Sequence, residues 1–162
     1  MPVTMTRNTI IATRLREVFL DGKWIANTNY QDLLRSIDWQ QAIQKVGDLN
    51  TIAALTFHIN YYLEGLISAL KTGRLAISDR YSFDLPDIQT EADWSSLVSG
   101  FVDNSETFAT LVERMDDSTF DRPFVDEAYG TYWRNIEGVI EHSYYHLGQI
   151  SLLRKMIAAN RP

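Results

Sequence analysis

Four stretches of this chain return apolar residues every three or four positions, and that period confines it to packed helices. The first runs from about Thr6 to Leu20, with Ile10, Ile11, Leu15, Val18 and Phe19 on its stripe and Asp21-Gly22 as its stop. The second is expected to use Asn50 as N-cap, to carry Ile52, Leu55, Ile59, Tyr62, Leu63, Leu66 and Leu70, and to end at Gly73. The third opens on Thr90 and Asp93, which have capping-box spacing, and continues through Trp94, Leu97, Val98, Phe101, Phe108, Leu111 and Met115. The fourth and longest starts just after Gly130 and runs to about Ala159.

The connections are long. The first, DGKWIANTNYQDLLRSIDWQQAIQKVGD, is expected to hold a short helix around Tyr30 to Ser36 and another turn near Gln40 to Val46. The second is centred on SDRYSFDLPDIQT, and the third is DDSTFDRPFVDEAYG. Antiparallel neighbours in a bundle are usually joined by roughly two to eight residues, so these lengths permit crossovers and do not dictate a simple up-down-up-down order. The expectation is an all-α four-helix bundle with long connections, one domain over residues 1–162, without internal repeats.

Composition removes several functions. There is no cysteine, so thiol nucleophiles and thiolate metal sites are excluded and a cytoplasmic setting is favoured. The N-terminal segment MPVTMTRNTIIATRLREVF has too short an apolar run for a secretion signal, and no stretch reaches the length of a membrane span. A net charge of -6 with no basic stripe argues against a nucleic-acid partner.

The chain has only three histidines, and two of them, His142 and His146, lie four residues apart in IEHSYYHLGQ. Residues at that spacing share a helix face, about 6 Å apart. Val139, His142, His146, Gln149, Ile150 and Leu153 recur at helical steps, which sets both imidazoles on or beside the apolar stripe. His58 shares its stripe with Leu55, Tyr62 and Leu66. Three neutral imidazoles from two helices would make a facial set of nitrogen ligands with open positions. Spacing alone leaves a second reading open, in which the three are core histidines hydrogen-bonded to carbonyls or to one another.

FHINYYLEGL on the second helix, with YGTYWRNIEGVIEHSYYHLGQISLLRKM on the fourth, resembles the DinB-like (YfiT-like) family of four-helix bundles. LREVFLDGKWI, TIAALTFHINYYLEGL and EHSYYHLGQISLLRK follow in the family's order, so the likeness spans most of the chain. The resemblance implies an up-down-down-up bundle, a homodimer, and a divalent metal, nickel or zinc, held by His58, His142 and His146. It further implies a small-molecule substrate. Relatives include thiol-dependent S-transferases and isomerases, and others are described only as metal-dependent hydrolases.

Other residues give weaker signals. Gln149 could orient a ligand or a bound water, or could simply be a polar residue at the bundle edge. Glu141 is turned about 100° from His142, so EHSYYH does not have the order of a zincin motif. No catalytic acid or base is identified. Tyr61 and Tyr62, with Tyr144 and Tyr145, are expected to flank the histidines as packed aromatics. Trp24, Trp39, Trp94 and Trp133 are expected to pack, some in a subunit interface, and Gly138 to admit a neighbouring backbone. The third helix, with Trp94, Leu97, Val98, Phe101, Val102, Phe108, Leu111 and Val112, carries a wider apolar arc than one core stripe needs and is expected to supply a homodimer face, unless Tyr81, Phe83, Phe120 and Phe124 of the connections cover it. The function classes in play are a metal-dependent transferase, with a metal-bound thiolate or water as nucleophile, a metal-dependent hydrolase, and a noncatalytic metal-binding module.

Overall fold

A computed structural model describes residues 5–159; residues 1–4 and 160–162, which complete the expected domain span and begin the N-terminal segment, lie outside the described residues. In chain order the α-helices are α1 (Arg7–Phe19), α2 (Tyr30–Arg35), α3 (Trp39–Ile43), α4 (Ile52–Thr72), α5 (Glu91–Glu113) and α6 (Tyr132–Ala159). Short 3-10 turns at Asp79–Tyr81, Asp117–Asp121 and Glu127–Tyr129 punctuate the later connections. The four long helices are those expected, and α2 and α3 fill the first connection.

Capping sets the boundaries. Thr51, not Asn50, caps α4: its backbone is extended and its hydroxyl accepts from the Ala54 N–H at 3.1 Å. Gly73 closes that helix in the left-handed region at φ 72°, where a side chain would be strained. The Thr90 and Asp93 side chains form the full capping box at the start of α5. Asn29 and Asp38 cap α2 and α3. The Thr131 hydroxyl accepts from the Arg134 N–H at 3.2 Å as α6 begins.

Helix α5 packs on α1 and α4, and α6 packs on the same two from the other side. Cross-helix pairs fix the directions. Arg7 grips Asp117 just beyond α5, while Arg16 reaches back to Glu106, so α1 and α5 are antiparallel. Phe57 lies by Ser96 and Leu97, and Glu64 by Asn104, so α4 and α5 run parallel. Leu66 lines one cleft with Asn135 while Leu55 lines another with Leu153, so α4 and α6 are antiparallel. Arg14 pairs with Glu137 and Glu17 lies near Tyr144, which makes α1 and α6 parallel. The order is up-down-down-up, made possible by the long connections.

The core is aromatic at its centre. Phe19, Tyr30 and Phe101 meet with ring centroids 5.0 to 5.7 Å apart, and burial of each phenyl ring stabilises the fold by on the order of 2 to 3 kcal/mol. Tyr30 is fully buried, and its hydroxyl donates to the Ser143 carbonyl at 2.8 Å. That bond ties the first connection to α6 between His142 and His146. Burial alone holds the Tyr30 hydroxyl well above its ordinary pKa, so it remains a donor.

Several expectations change. Trp24 is 89% exposed and does not pack within the chain; Trp94 is buried and donates to the Ile37 carbonyl, and Trp133 meets Phe120 edge-on. The apolar arc of α5 is largely absorbed, with Trp94, Val98, Phe101, Phe108 and Val112 buried and Leu97, Val102 and Leu111 packed against the core. Of the connection aromatics, Phe120 meets Trp133 and Phe124 meets Tyr132 edge-on at the start of α6, and Phe120 is fully buried in the core. No helix among the described residues is long and apolar enough to cross a membrane.

Candidate metal centre

The antiparallel run of α4 against α6 brings the three histidines together. The ring nitrogens that they could offer to a metal all lie within 4.8 Å of one another. The Nε2 atoms of His58 and His142 are 3.3 Å apart, and those of His146 and His142 are 2.9 Å apart. His58 and His146 are each only 7% exposed, and His142 is half-buried.

Burial is the main reason all three titrate low. It lowers His142 to about 4, with the like charges of His146 and His58 adding to the effect. For His58, burial and then the charge of His146 lower the pKa, while the Ser82 backbone and the Asp79 carboxylate pull partly back. For His146, burial outweighs the hydrogen bond to Gln149. At neutral pH the cluster is therefore uncharged, the state in which imidazole nitrogens carry lone pairs for a metal.

Second contacts orient the rings unequally. His146 Nδ1 lies 2.6 Å from Gln149 Oε1, and an amide oxygen can only accept, so the proton sits on Nδ1 and the Nε2 lone pair faces the cluster. His58 Nδ1 is buried and, among the described residues, has no partner at full hydrogen-bonding geometry, although the Ser82 backbone lies close enough to favour its proton. Its ring is held by packing: Phe83 stacks on it at 4.1 Å and 15°, and Tyr62 meets it edge-on at 5.0 Å.

The donor set fits a cation. Two nitrogens at about 2.0 to 2.1 Å from one ion, at right or tetrahedral angles, stand about 2.8 to 3.4 Å apart, which brackets the separations of 2.9 and 3.3 Å. One proton on His142 Nε2 can be given squarely to only one of its two neighbours, whereas a cation among the three satisfies them together. No carboxylate among the described residues joins the group.

The connection after α4 roofs the site. Tyr61 exchanges two hydrogen bonds with the Ser78 backbone, and Tyr62 donates to Asp79 Oδ1 at 2.7 Å. Gly65 lets this connection lie close, because a Cβ there would collide with the Ile77 side chain. Burial and the Asp79 carboxylate raise the Tyr62 pKa, so its hydroxyl is a fixed donor. Tyr145 is 64% exposed at the rim, 4.9 Å from His146. Tyr144 does not flank the histidines; it turns to the core on the side of Glu17 and Arg14.

Phe83 is the neighbour that sequence periodicity does not mark, since it sits in an irregular segment whose path is set by Tyr61, Tyr62 and Gly65. A cleft between α4, α6 and the two later connections opens beside His142 and is lined by Tyr62, Leu66, Ile77, Phe124, Arg134 and Gly138. Gly138 admits no neighbouring backbone, contrary to expectation: a Cβ there would meet only Arg134 Nη1, at 3.9 Å.

No curated protein and no solved structure gives a significant match to the chain. A family model described as the DinB superfamily matches residues 26–150, a span that contains His58, His142, His146 and Gln149. With that match, the all-α bundle and the buried three-histidine cluster, the chain belongs to the DinB superfamily.

Proposed function

We propose that the protein is a divalent-metal-dependent enzyme acting on a small molecule, with His58, His142 and His146 as ligands and nickel or zinc as the metal. One observation carries this reading: three imidazoles kept neutral by burial turn their nitrogens to one point, and among the described residues no fourth protein ligand joins the group. Structural zinc is usually closed by four protein ligands, so three leave positions for substrate. A divalent ion held there supplies an acidified water or a stabilised thiolate as nucleophile.

The chain's own residues bind, orient and shield. Gln149 fixes the His146 tautomer, Phe83 and Tyr62 cover His58, and the cleft beside His142 admits a small molecule. Family resemblance favours S-transfer from a low-molecular-weight thiol; hydrolysis and a noncatalytic metal-binding module are the alternatives. The reading includes a cytoplasmic homodimer that binds no nucleic acid.

Protein loaded with nickel or zinc and dialysed is expected to keep about one equivalent per chain by elemental analysis. Low-molecular-weight thiols screened against electrophilic acceptors are expected to give turnover that a chelator abolishes. Thiol-independent cleavage of esters or amides would move the assignment to a hydrolase. Full metal retention with neither activity would leave the noncatalytic module.

A further inference from the structure

Arg134, Gly138, His142 and His146 follow one another at four-residue spacing, so they share one face of α6, and the first three line the cleft. Gly138 leaves the middle of this floor bare, and the Arg134 guanidinium lies over it. One helical turn, about 6 Å of rise, separates Gly138 from His142. Arg134 is held by Glu141 through Nη1 alone, at 3.0 Å, in a pair whose side chains are 61% and 62% exposed. Its other guanidinium donors make no hydrogen bond to another described residue, and an exposed pair of this kind is weak.

The walls are apolar, with Leu66, Ile77 and Phe124 facing the bare floor. The wall bearing Phe124 is braced: the Phe124 N–H donates to the Gly130 carbonyl at 2.8 Å, and the Tyr132 N–H donates to the Arg122 carbonyl at 3.0 Å. The cleft thus has the His142 imidazole at one end, apolar walls, and beside Gly138 a cation whose other donors are free among the described residues.

Resting on the metal reading above, we infer that this cleft binds a small anionic substrate, with its carboxylate on Arg134 and its metal-binding atom about one helical turn away at the histidines. Gly138, with no side chain, leaves room for the ligand beside the guanidinium. Arg134 selects the charged substrate, and Glu141 competes with the ligand carboxylate for the guanidinium.

The test uses the full chain loaded with cobalt(II), titrated with 4-mercaptobutyrate and with butane-1-thiol and followed by thiolate-to-cobalt charge-transfer absorption. The carboxylate-bearing thiol is expected to bind about tenfold more tightly. Arg134→Gln should erase that difference, Glu141→Gln should widen it, and Gly138→Leu should weaken both thiols about tenfold, with cobalt content unchanged in each. These side chains are exposed or face open space, so helix content by circular dichroism should not change. Equal affinities in the wild type, a preference that survives Arg134→Gln, or wild-type binding by Gly138→Leu overturns the inference while leaving the metal site standing. A wild-type chain that takes up no cobalt overturns the metal reading and this inference with it.

Discussion

His146 gives its Nδ1 proton to Gln149 Oε1 across 2.6 Å, one turn further along the same helix. The bond does two things at once: it stops the imidazole from rotating and it directs the Nε2 lone pair at His142 and His58. Gln149→Leu is therefore expected to weaken zinc binding about tenfold or more in a competition titration against a chromophoric chelator. Gln149→Glu, which keeps an acceptor in place, should retain most of the affinity. Wild-type affinity in the leucine variant would mean that packing alone orients the ring.

The parts of this centre differed in how far the sequence displayed them, and the difference is physical. His142 and His146 were legible because helical periodicity turns a four-residue spacing into a shared face, and His58 because its neighbours Leu55, Tyr62 and Leu66 mark a buried stripe. The Thr90–Asp93 box was legible for the same reason, since local geometry follows from local spacing. Phe83 was not, because its contact with His58 depends on where Tyr61, Tyr62 and Gly65 send an irregular segment. Gly138 was misread because a mid-helix glycine signals missing bulk without saying whether a neighbour or open space takes its place.

Removing a ligand should separate metal binding from folding. His58→Ala or His146→Ala is expected to drop retained nickel or zinc well below one equivalent, with helix content by circular dichroism largely intact. Three nitrogens on two helices cannot lose one without losing most of the chelate effect. Mutants that retain metal as the wild type does would remove these histidines from the ligand set.

In metal-free protein the pH dependence has a definite sign. Unfolded imidazoles titrate near 6.5, whereas burial holds His142 at about 4 and lowers His58 and His146. Between those values the unfolded chain binds more protons than the native one, so the histidine contribution to stability is full above about 6.5 and is lost as pH falls toward 4. Urea unfolding at about pH 7.5, 5.5 and 4.5 should show the decline, and His142→Gln should make it shallower. Stability that is level from about pH 7.5 to 5.5, or a slope that His142→Gln leaves untouched, would contradict the burial of these rings.

Phe83 is half-exposed itself, yet its stacked ring covers His58. Phe83→Ala should raise the His58 pKa toward 6.5, because burial is the largest cause of its depression. The cost in stability should be modest, about 1 kcal/mol, since the ring is only partly removed from water. A titration of the His58 ring resonances in metal-free protein measures the shift directly. An unchanged pKa would show that Tyr62 and the helices, not Phe83, exclude water from this nitrogen pair.

The homodimer expected from the family should form on α6 and not on α5. The apolar residues of α5 are buried or packed against the core, which leaves little there for a partner. On α6, Tyr145 is 64% exposed, Leu152 58% and Met156 37%, at steps of seven and four that share one face, and Leu49 is exposed beside Leu152. Tyr145 borders His146, so a partner on this face would adjoin the site. Light scattering at micromolar concentration should give about 37 kDa, twice the 18.6 kDa chain, if two copies pair in this way. Leu152→Glu introduces a charge at an exposed position, where it does not disturb the core, and should return the mass to that of a single chain. A wild-type monomer, or a dimer indifferent to Leu152→Glu, would exclude this face as the interface.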